Sequence, residues 1–155
     1  MPWLRGVTEA APRDSRALAP IRIFTDLIEL TGFVAPAGQR ITDILLRGQD
    51  VAFLPAGAEL EPENWILISP TEILFVAPPP LGPRAAWRER RDQREIALCV
   101  GRYRVKGTAH LAPGVEPSQL TSRPGFLPLT DARVDAERFS VVIVNLSRAV
   151  ADARV

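Results

Sequence analysis

The chain has 155 residues, 46% of them hydrophobic, with 19 basic against 18 acidic side chains and a formal net charge of +1. That length supports one ordinary domain or two very small ones, and the balanced charge excludes bulk attraction to nucleic acid or to an anionic membrane. The single cysteine, Cys99, excludes an internal disulfide and a zinc site built from cysteines alone.

Residues 1–20 mix Pro, Arg, Asp and Ala with few apolar anchors and read as a flexible N-terminal arm, with no continuous apolar h-region. The longest apolar runs further on, such as "VVIV" at 141–144, fall far short of the roughly 18 residues of a membrane helix. The expectation is a cytoplasmic protein with no membrane partner.

The first β module is read over residues 21–76. In "IRIFTDLIELTGF" apolar residues stand at 21 and 23, then at 28 and 30, so the two-residue alternation changes parity midway. A two-residue hairpin produces that change. With Asp26 and Leu27 as the turn, Ile21 faces Gly32, Ile23 faces Leu30 and Thr25 faces Ile28 on one side of the ribbon. Asp-Leu is a poor turn pair, so a longer loop stays open. Then come a short helix, "ITDILLRG", a strand, "VAFLP", an acidic connector, "EPEN", and two strands, "WILISP" and "EILFV".

Residues 77–94 read as a linker, Pro-rich at 78–80 and then Arg-rich and helix-compatible in "RAAWRERRDQR". The second β module, 95–155, repeats the first. "IALCVGRYRVKGT" changes parity at Gly101-Arg102 and lies 75 positions after its counterpart, Ile96 over Ile21. "PSQLTSRP" follows as the helix, then "GFLPL", "VDAER", "FSVVIVN" and "RAVAD", with "FLP" recurring at an offset of 73. Gly32 and Gly107 mark a bend or bulge where each small sheet curls. Phe53 and Phe126 read as core anchors, and Pro55 and Pro128 as markers of edge strands. The chain is therefore expected to be mainly β, two tandem modules with one short helix each, related by internal pseudo-twofold symmetry.

Gly107-Thr108, Phe126 through Asp131 and Val144-Asn145 resemble a short bacterial domain of unknown function. Its pattern is a strand ending in Gly-Thr, an Arg-Leu-Ser-Asp helix start, a Phe-[Ile/Leu]-Pro-Leu-Thr-Asp strand and a late Val-Asn. "RITDIL" from Arg40 matches the helix start better than the second copy does, whereas the first copy has Ala56, Gly57 and Ala58 for Leu-Thr-Asp and Ser69 for Asn145. The resemblance implies strongly bent SH3-like or Sm-like sheets or barrels and carries no activity.

Catalytic material is sparse. His110 is the only histidine, which excludes a multi-histidine metal site and reads as an ordinary edge residue. Cys99 alternates onto the face opposite the apolar set, a place for packing between modules rather than for a reactive thiol. Glu59, Glu61 and Glu63, and Asp131, Asp135 and Glu137, cluster in connectors but match no cation-binding loop. No phosphate-binding glycine pattern occurs, and no catalytic, metal or cofactor site is assigned.

The expected function is a non-enzymatic interaction or assembly module that binds protein partners or itself, as a homodimer first, through exposed sheet edges. Thr130, Asp131 and Asn145 are its candidate binding residues. The alternative is an Sm-like nucleic-acid binder using Trp87, Arg88, Arg90 and Arg91 of the linker. A small-ligand binder or an enzyme is the remaining class.

Overall fold

A computed structural model describes residues 18–78, 92–114, 116, 119 and 125–152. Trp87, Arg88, Arg90, Arg91 and nearly all of "PSQLTSRP" lie outside the described residues, as does the arm up to residue 17.

The protein is mainly β. The first half runs β1 (Ala19–Thr25), β2 (Glu29–Val34), helix α1 (Ile41–Leu46), β3 (Val51–Pro55), β4 (Ile66–Ile68) and β5 (Ile73–Ala77). The second half runs β6 (Asp92–Val100), β7 (Tyr103–Leu111), β8 (Phe126–Val134), β9 (Glu137–Asn145) and β10 (Ala149–Ala151). All pair antiparallel in one ten-stranded sheet of order β10-β6-β7-β8-β9-β5-β1-β2-β3-β4. Strand begins two residues inside the expected arm, and Asp92–Arg94, expected in the linker, pair with Ala109–Leu111 as the start of β6.

Both hairpins adopt the register that the parity change dictates. Ile23 lies opposite Leu30 and Ile21 opposite Gly32; Leu98 lies opposite Val105 and Ile96 opposite Gly107. Gly101 takes φ +58°, the left-handed conformation wanted at the second turn. The first turn stays at two residues although neither Asp26 nor Leu27 has positive φ. Thr25 holds it: its Oγ1 accepts from the N–H of Ile28 (3.1 Å) and of Leu27 (3.3 Å) and donates to the Ile28 carbonyl at 2.8 Å.

Gly32 and Gly107 stand where a neighbouring strand leaves no room for a side chain, and only Gly107 lies at a bulge. A Cβ on Gly32 would lie 2.1 Å from the Leu54 carbonyl oxygen, and one on Gly107 2.9 Å from Leu129 Cβ and 3.2 Å from the Thr130 carbonyl oxygen. The β7·β8 ladder shifts register across Gly107, and Asp131, opposite, adopts φ +48°.

The strand ladders align the halves differently from the Phe-Leu-Pro repeat. The rung Val51↔Ile68 recurs as Leu127↔Val144 and Phe53↔Ile66 as Leu129↔Val142, a shift of 76 residues (51 to 127, 68 to 144). Phe53 therefore corresponds to Leu129, and Phe126-Leu127-Pro128 lies three positions earlier in its strand. Phe53 is fully buried; Phe126 is half-buried and packs on the core of the first half. Nor are β3 and β8 edge strands, since each has a neighbour on both sides. Their prolines stand where one ladder stops: Pro55 beyond the last rung to β4, Pro128 before the first rung to β7.

Each half pairs its strands in the same sequence, with the first strand of the half between its second and its fifth. The halves meet where β5 pairs with β9, and by the 76-residue shift β9 is the counterpart of β4, not of β5. The contact joins unlike strands, and β4 and β10 end up at opposite edges. The expected pseudo-twofold does not relate the halves across this contact, because a twofold pairing β5 with β9 also pairs β10 with β4.

Candidate assembly interface

The chemistry of the β5·β9 joint follows from two runs that are apolar on every residue, "ILFVA" and "VVIV". A strand that alternates has one wet face; these two are buried on both faces, in the middle of the sheet. Phe75 lies opposite Val144 and Val76 opposite Ile143. On one face Phe24 and Phe75 stack at 4.2 Å, and Tyr103 meets them edge-on at 5.5 and 5.2 Å, so two first-half rings complete the second-half core. On the other, Val141 and Ile143 complete the core formed by Ile21, Ile23, Phe53 and Val76.

Polar contacts fasten the rim. Asn145, buried, donates from Nδ2 to the carbonyls of Ile73 (2.9 Å) and Pro70 (3.3 Å) and accepts at Oδ1 from the Ser147 N–H (3.1 Å). Arg148 donates to the Thr71 carbonyl at 3.0 Å and pairs with Asp26. Arg22 pairs with Glu137 across the joint and with Glu29 on its own hairpin at 2.6 Å, its guanidinium 5.0 Å from the Phe139 ring centre. The hydrogen bond from Arg22 holds the Glu137 carboxyl below the usual carboxylate range.

Of the candidate binding residues, Asn145 thus sits inside the joint. Thr130 is buried, its Oγ1 2.8 Å from His110 Nε2 and its hydroxyl directed to the Thr108 carbonyl. Asp131 is exposed and lines an open cavity of about 650 Å³ with Glu95, Lys106, Arg133 and Arg138. The three are not brought into one cluster. Asp135 works in the β8–β9 turn, where Oδ1 accepts from the Arg104 N–H at 3.1 Å. Among the described residues, no three of His, Cys, Asp or Glu stand together as a metal would need, and no helix is long and apolar enough to cross a membrane.

Sequence reasoning missed the residues left uncovered at the two outer edges and at the first hairpin. Ile66 on β4 is 39% exposed, Val150 on β10 67%, and Ile28 at the first hairpin 54%. Cys99, half-exposed, lies opposite Val150. The only local signal was that "WILISP" and "RAVAD" place apolar residues on both sides of short strands.

No protein-family model matches the chain, and no curated protein or solved structure matches it.

Proposed function

We propose that the chain is a non-enzymatic assembly module that recognises protein strands at its sheet edges. Its halves are taken as tandem copies of one small, strongly bent SH3-like or Sm-like unit, the first ending near residue 76 and the second starting near 95. The carrying observation is that the protein already builds its own interior contact by strand addition, β5 onto β9, while β4 and β10 remain open with Ile66 and Val150 facing outward. Backbone groups of an edge give affinity without special side chains.

A photoreactive amino acid at position 66 or 150, introduced in living cells, tests this reading. Protein adducts, self or foreign, are expected at both positions and not at exposed Glu116. Adducts only to nucleic acid, or none, overturn it.

A further inference from the structure

The β5·β9 joint is a template for a second contact that the chain does not make with itself. Ladder positions give the counterparts. Phe24↔Phe75 in the first half corresponds to Cys99↔Val150 in the second, so Val150 stands where Phe75 stands and Ala151 where Val76 does. The hairpins equate Ile28 with Tyr103, and the β3·β4 and β8·β9 ladders equate Ile66 with Val142.

Burial then differs at three of these positions, while Ile68, the counterpart of Val144, is buried as Val144 is. Phe75 and Val142 are fully buried in a core that includes Phe24 and Phe75 of the first half, and Tyr103, half-buried, meets the Phe24–Phe75 stack edge-on. Their counterparts Val150, Ile66 and Ile28 are 67%, 39% and 54% exposed. Three of the five large hydrophobic side chains exposed among the described residues are therefore the counterparts of residues packed in the core that both halves contribute to. The two open surfaces are also complementary: one carries the fifth-strand edge, the other the fourth-strand edge, the combination that already pairs inside the chain.

We propose that β10 of one copy adds to β4 of a second copy, head to tail, in the register of the β5·β9 joint. Phe75↔Val144 and Val76↔Ile143 then become Val150↔Ile68 and Ala151↔Leu67 between chains. The inference rests on the strand-edge reading above and names its partner. An interface between unlike surfaces leaves one edge free at each end, so it generates rings or open rows of chains rather than a twofold dimer.

The second joint is weaker than the first. The 75- and 76-residue shifts place Ala97 where Arg22 stands, Ser69 where Asn145 stands and Glu72 where Arg148 stands. The ion pairs and the Asn145 hydrogen bonds that fasten the internal joint have no equivalents, and the intermolecular contact is left with its strand ladder and apolar side chains. Association is accordingly reversible and depends on concentration.

Light scattering on the purified full-length chain across a wide dilution series tests this, with Val150→Lys and Ile66→Lys, both at exposed positions. Expected are a mass that rises with concentration for the natural chain, association at least about tenfold weaker for each variant, and a two-chain species that grows no further when the variants are mixed. In the mixture, the intact β10 of the Ile66→Lys chain meets the intact β4 of the Val150→Lys chain. A monomer at every concentration overturns the proposal; if position 66 or 150 still forms adducts with a different protein in cells, strand-edge recognition stands without self-docking. Loss of association in one variant only means like edges pair, which also overturns it.

Discussion

At the scale of single residues, Gly32 and Gly107 make unequal predictions. Gly32→Ala forces a Cβ to 2.1 Å from a backbone oxygen that has no room to retreat, whereas in Gly107→Ala the nearest atom, Leu129 Cβ, is 2.9 Å away. Chemical denaturation is expected to give a loss of about 3 kcal/mol or more for the first and about 1–2 kcal/mol for the second. Asn145→Ala leaves the carbonyls of Ile73 and Pro70 without their amide donor in the joint and costs about 2 kcal/mol. Glu137 adds a pH dependence. Its folded-state pKa is lowered by Arg22, so its contribution is complete above the unfolded value of about 4.3 and is lost as pH falls through the lower folded value. Because the pair is half exposed, that contribution is only about 0.5 kcal/mol. Acid titration of stability in Glu137→Gln should lack this component.

At the scale of elements, the hairpins were legible because strand alternation is a local signal: a parity change between Ile23 and Ile28, or Leu98 and Tyr103, has to be absorbed by a turn. The sequence reading doubted the first turn because Asp26-Leu27 lacks a residue suited to positive φ. Thr25 removes the need by bonding three backbone groups around the corner. Thr25→Val keeps the strand-forming side chain but deletes those bonds, and about 1 kcal/mol is expected to be lost, with faster amide exchange confined to residues 25–28. The Phe-Leu-Pro repeat matches three residue types and not ladder position; Phe53 does the work of Leu129, each against a glycine where a Cβ would not fit. Thr130 and Asp131 were singled out by the Leu-Thr-Asp match to the family pattern, which carries no information on burial. Thr130 is placed in the interior beside His110, and Asp131 absorbs the bulge opposite Gly107.

At the scale of the whole molecule, which strands meet across the middle was not legible, since pairing between β5 and β9 spans some 70 residues of intervening chain and leaves no period in either strand. The doubly apolar runs "ILFVA" and "VVIV" were its only trace, and they report burial without naming a partner. Because β5 supplies Phe75 to one core and Ile73 and Val76 to the other, the two halves should unfold together. Calorimetry is expected to give a single cooperative transition, and Phe75→Ala to lower the stability of the entire chain by about 3–5 kcal/mol rather than that of one half. The same joint defines what is unfinished about the molecule, two unpaired edges at opposite ends of the strand order. Amide hydrogen exchange of the purified chain over a dilution series examines those edges directly. The account predicts that backbone amides of Leu67–Ile68 and Val150–Ala151 gain protection as concentration rises while exposed turns such as Asp135-Ala136 do not; exchange at both edges that is the same at every concentration would contradict it.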